Sequence, residues 1–191
     1  MRNSDKRKVI PIYSAWNFIL DSKSTLRLHE HGLIRVFKIL IDKESKEFNP
    51  YNFFSSLIDS DFYQELFFDH FSQISKGKHG PFLIENIAPD NFSEKKNKVF
   101  KEEFLQIVAS PKWGCPKISG KAFKKIKLLL DHVVTDSTRV YFLDKCRTFN
   151  TSSNEAKIYE HEWSHNLSSF YEFILYDPEV KTGHILILTY E

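Results

Sequence analysis

The sequence predicts an α+β domain: a mostly helical first two-thirds, with a small mixed or antiparallel sheet contributed largely by the C-terminal third. Three observations carry that expectation. Apolar residues recur at helical spacing in several stretches between Glu30 and Asp131. Helix-start residues, among them Asn49-Pro50 and Ser119, stand before some of those stretches. The last third instead carries Ile-, Leu- and aromatic-rich runs beside turn residues, as strands do.

Taken in order, residues 1–7 read as a mobile basic arm and residues 8–191 as a single domain. Val9 to Tyr13 suits an edge strand, because Pro11 has no N–H to give to a central ladder. Over Glu30 to Lys43 the polar Arg35, Lys38 and Asp42 face away from Leu33, Phe37, Leu40 and Ile41 if the segment is helical. His29 and His31 would then be part of a polar helix start. Pro at the first helical position predicts another helix after Asn49. A longer one is expected with Asp61 as N-cap and Tyr63, Leu66, Phe67, Phe71 and Ile74 facing inward.

Lys76 to Gly80 is a turn, and Phe82 to Ile87 reads as a buried strand. Ser93 is placed as the cap of a helix with Phe100, Phe104, Ile107 and Val108 inside; Ser119 caps the next, which runs to about Asp131. Arg139 to Leu143 and His184 to Tyr190 are strands. Tyr159, Trp163, Leu167, Phe170 and Ile174 keep helical period, yet Phe170 to Tyr176 equally makes the first arm of a hairpin around Asp177-Pro178 and Gly183. A helix to about Ser169 followed by a strand is the favoured of the two.

Composition limits the function classes. With 18 Phe and 41% hydrophobic residues the chain can build a sizeable core. A net charge of +2 gives no global case for nucleic acid, so only local patches can make one. Cys115 and Cys146 do not form a disulfide framework or a zinc knuckle. The basic start followed by Val9 to Leu20 is broken by Pro11, Trp16 and Asn17, unlike a signal peptide, and no apolar run has the length of a membrane span. The expectation is a cytoplasmic protein with no membrane partner.

The string His161-Glu162-Trp163-Ser164-His165 matches H-E-x-x-H. On a helix both imidazoles would share a face and could bind one zinc, with Glu162 as general base. Its uncharged surroundings, Trp163, Ser164, Asn166 and Leu167, resemble the active-site helix of zincin metalloproteases. The resemblance covers about ten residues. A metzincin needs glycine at position 168 and histidine at 171, where this chain has Ser168 and Tyr171. Glu172, Glu179 and Glu191 are poorly placed as a third ligand, and His184 is the remaining substitute.

Between Glu103 and Asp131 the chain has no acidic residue but carries Lys112, Lys117, Lys121, Lys124, Lys125 and Lys127, with Trp113 available for stacking. Such a patch could grip phosphates or an acidic partner. Gly114 to Ala122 only superficially resembles a phosphate loop, since Pro116 removes an N–H and Ala122 offers no hydroxyl for magnesium. Asp144 with Glu155-Ala156-Lys157 has the residue order of a PD-(D/E)xK nuclease and nothing more.

The reading favoured by the whole sequence is an accessory or protein-interaction protein that binds a protein partner, without cofactor and without a complete catalytic set. One alternative is a zinc-dependent hydrolase centred on residues 161–165. The other is a nucleic-acid-binding or processing protein using the lysines of 112–127.

Overall fold

The structure, a computed structural model, describes residues 16–43, 48–66, 77–109, 117–144 and 169–190. Its centre is a six-stranded antiparallel sheet. The strands are β1 (Trp16–His29), β2 (Gly32–Lys43), β5 (Phe92–Lys95), β6 (Arg139–Leu143), β7 (Ser169–Asp177) and β8 (Thr182–Tyr190), in the order β1-β2-β8-β7-β6-β5. A separate short hairpin joins β3 (Lys78–His79) to β4 (Phe82–Leu83). Helices α1 (Pro50–Ile58) and α2 (Asp61–Gln64) belong to one face of the sheet; α3 (Asn97–Ala109) and α4 (Gly120–Val133) belong to the other.

This overturns the expectation of a mostly helical first two-thirds. The sheet begins at the first described residue, and Glu30 to Lys43, read as helical, is the turn and second arm of the β1–β2 hairpin. The physical reason is coverage on both sides. A strand buried on both faces is a nearly continuous apolar run rather than an alternating one. In β2, Phe37, Ile39 and Ile41 enter the core under α1 while Ile34 and Val36 enter the core under α3 and α4. The β-branched Ile34, Val36, Ile39 and Ile41 were the strand signal, and the spacing of Arg35, Lys38 and Asp42 masked it. His29 ends β1 and His31 lies in the hairpin turn instead of starting a helix, and His29 stacks on Tyr190 at 5.7 Å.

Other boundaries moved for local reasons. Asn49 caps α1 as expected, accepting from the Asn52 N–H at 3.1 Å. Ser60, not Asp61, caps α2, which is a single turn. Phe82 to Ile87 contains only two strand residues, after which Ile84–Asn86 winds into a 3-10 turn. Ser93 caps nothing: it pairs with Phe142 inside the sheet, and its hydroxyl donates to Asp144 Oδ2 at 2.5 Å. Ser119 does cap α4 through the Ala122 N–H at 3.2 Å. The N-terminal arm, the strand placed at Val9 to Tyr13, Phe67, Phe71, Ile74 and all but the last residue of the helix placed at Tyr159 to Ser169 lie outside the described residues; Ser169 itself opens β7.

Two cores result. Under α1 and α2, Phe53, Phe54, Leu57 and Tyr63 meet Ile174, Ile185 and Ile187. Under α3 and α4, Phe100, Phe104, Ile126 and Leu130 meet Phe173, Leu186 and Leu188. Successive residues of β7 and β8 thus enter opposite cores, the period-two geometry of a strand. Gly80 makes the close approach of the β3–β4 hairpin possible. It has φ +57°, and a methyl group there would lie 2.3 Å from the Phe170 ring.

Candidate functional site

Helix α4 is built by the same residues that leave it charged outside. Ile126, Leu130 and Val133 are buried, and Phe123 and Leu129 pack partly against the same core. That leaves Lys117, Lys121, Lys124, Lys125 and Lys127 exposed. Among the described residues none of these lysines pairs with a carboxylate; Asp131, the first acidic side chain along the helix, is held by Lys101 of α3 at 3.0 Å. At about 100° per residue, Lys121, Lys124, Lys125 and residue 128 share one face. Position 128 is Leu128, which is 61% exposed. An apolar side chain therefore stands in solvent with a cationic rim. Lys112 and Trp113 lie outside the described residues, so the structure assigns them no place on this face.

A second polar constellation is buried. Glu172, in the middle of β7, accepts a hydrogen bond from the Tyr63 hydroxyl at 2.7 Å and pairs with His79 Nε2 through its other oxygen. The His79 and Tyr63 rings stack at 4.1 Å. All three residues are 0% exposed. The residue types are those of proton-transfer chemistry, but no substrate reaches a sealed cluster, and its effect is to tie α2 and the β3–β4 hairpin to the sheet. Sequence reasoning weighed Glu172 only as a poorly placed zinc ligand. The signal was present: one carboxylate inside Phe170-Tyr171-Glu172-Phe173-Ile174 needs a partner, because an unpaired buried charge is too costly.

The other expected sites come out as follows. His161, Glu162 and His165 lie outside the described residues, as do Glu155 and Lys157. Asp144 is engaged by Ser93. Residues Ser119 and Gly120 of the phosphate-loop look-alike serve as the start of α4. Among the described residues, no group of three His, Cys, Asp or Glu side chains could hold a metal ion. Among them also, no helix is long and apolar enough to cross a membrane.

His184, the substitute third ligand, sits half-buried on β8 directly opposite Lys38 of β2. Burial lowers its pKa from the ordinary 6.5, and the neighbouring His132 and Lys38 push it the same way. The unfolded chain therefore takes up this proton more readily than the folded one. The His184 contribution is intact above pH 6.5 and is lost as pH falls from there through the lower folded value. Urea unfolding at pH 7.5 and 5.5 should show the wild type losing more stability than His184→Asn; equal losses would remove burial as the cause.

No protein-family model matches the chain, and no curated protein matches it in sequence. Among solved structures, the crystal structure of citrus MAF1 is similar at 12% identity and a TM-score of 0.35, over 84% of this chain and 90% of that one. A superposition that loose carries no argument, and the functional reading rests on this chain's own geometry.

Proposed function

We propose that this protein is a non-catalytic interaction module that docks an acidic partner protein on the exposed face of α4. The observation that carries the reading is Leu128, 61% exposed and surrounded by lysines without acidic partners. Fully wet lysines alone describe any soluble helix face. A large apolar side chain at their centre adds a hydrophobic anchor, and anchors of this kind supply much of the affinity at protein interfaces while charges steer the approach. The matching partner is an acidic segment with one or two apolar side chains. A nucleic acid would use the lysines but has less use for Leu128, since no aromatic ring is exposed beside it among the described residues of α4.

The test is a titration with a labelled peptide rich in Glu and Leu, run beside a single-stranded oligonucleotide of equal charge. Peptide binding should weaken with salt. Leu128→Ser should weaken it roughly ten-fold, and Lys121→Glu with Lys125→Glu by a similar or larger factor. Tighter binding of the oligonucleotide, or peptide binding indifferent to Leu128→Ser, would reject the acidic-protein reading.

A further inference from the structure

At the C-terminal end of α4, on the same side of the sheet, lies a cavity of about 300 Å³. Lys38 reaches it from β2, His132 from α4, His184 from β8, Thr135 from the loop after α4, and Asp177 from the base of the β7–β8 turn. Lys38 and His184 are directly opposed in the β2–β8 register. A proton on His184 is opposed by the Lys38 ammonium, and the fold sets another basic side chain, His132, beside them.

The carboxylates nearby do not resolve the conflict. Asp177 is already saturated: its Oδ2 accepts from Thr135 Oγ1 at 2.7 Å and Ser137 Oγ at 2.9 Å, and its Oδ1 accepts from the Glu179 N–H at 3.0 Å. Asp21 of β1 holds Lys38 at 2.9 Å, at the outer side of a side chain that is 42% exposed. Neither carboxylate pairs with His184. Among the described residues its ring makes no hydrogen bond or ion pair, although the residue is half-buried. The half-buried imidazole, opposed by a lysine and facing a second imidazole, keeps its ring nitrogens available to a ligand in the cavity.

We infer that this cavity binds a small oxyanion of the phosphate type, held by His184, His132 and Lys38. The volume is at the lower end for ligand cavities and accommodates a phosphate or phosphate monoester, not a nucleotide. Protonation of His184 adds a charge-assisted donor beside Lys38, so the site fills more readily as pH falls. Asp177 lines the cavity with both of its oxygens already accepting from hydroxyl and backbone donors.

The experiment follows the His184 and His132 ring protons by NMR while inorganic phosphate is added, with sodium chloride at matched ionic strength as control. Saturable shifts of both rings with phosphate and not with chloride are expected. His184→Gln and Lys38→Gln should each weaken binding about ten-fold. Sulfate, which keeps its charge across this range, should bind several-fold tighter at pH 6.0 than at pH 7.5. A parallel arm uses a phosphoserine peptide. Binding of inorganic phosphate assigns a free solute, and binding of the peptide alone assigns a phosphoryl group carried by a partner. No saturable shift from either probe, equal shifts with chloride, or sulfate binding independent of pH would overturn the site. Leu128→Ser should leave phosphate binding unchanged, so failure here and failure of the α4 docking reading are separate results.

Discussion

Glu172→Ala is expected to lower the unfolding free energy by about 3–5 kcal/mol, the range for removing one member of a buried, hydrogen-bonded polar pair. The loss would not come from the attraction alone. Removing the carboxylate leaves the Tyr63 hydroxyl and the His79 ring facing a void in the middle of β7, where all three residues are 0% exposed. Glu172→Gln keeps the side-chain volume and one acceptor for Tyr63, so its cost should be clearly smaller. The double replacement His79→Phe with Glu172→Met should recover much of the loss, since matched apolar pairs often replace buried ion pairs with little penalty. The phenylalanine would also keep the ring stack on Tyr63, now 4.1 Å between centroids. Urea unfolding of the three variants beside the wild type checks the order. A double variant as unstable as Glu172→Ala would show that the polar contacts themselves, rather than the empty volume, carry the stability.

Phe173→Ala is the second large expected effect, also about 3–5 kcal/mol. Phe173 is 1% exposed at the centre of the core under α3 and α4. Its ring lies 4.9 Å from Phe100, 5.5 Å from Phe104 and 4.8 Å from Phe142. These partners come from α3 and β6, so the space left behind is bounded by two elements that cannot both move in. Phe173→Leu should cost well under half as much, because it fills most of that volume. Val180→Ala, at a side chain 64% exposed in the β7–β8 turn, serves as the control and should change stability by about 0.5 kcal/mol at most. Denaturant midpoints measure all three. A loss from Phe173→Ala no larger than that of the control would contradict the packing assigned to this core.

How far the sequence could be read depended on whether the deciding interaction was local. Asn49-Pro50 and Ser119 mark real helix starts, because a cap is a contact between residues three apart. Arg139 to Leu143 is a strand with the expected limits, and the hairpin around Asp177-Pro178 and Gly183 pairs as expected from Asp177↔Thr182 onward. The same reading failed at Glu30 to Lys43, where cores on both sides of β2 erase the alternation that identifies a strand. It failed at Ser93 for a related reason, since the hydroxyl that looked like a cap is used by Asp144, far along the chain.

The candidate sites divide in the same way. The sequence by itself determined the lysine-rich outer face of α4, because amphipathic spacing within one helix sets which side stays wet. The lone glutamate in the apolar run of β7 is also visible in the sequence, although there it reads only as a poorly placed zinc ligand. Only the tertiary structure decided that Glu172 meets Tyr63 and His79, 109 and 93 residues away in the chain. Only the β2–β8 register set Lys38 against His184 and brought both beneath His132. A register shifted by one residue would send each of these side chains to the other face of the sheet. No local pattern encodes that choice; it follows from which apolar face each strand must bury against which helices.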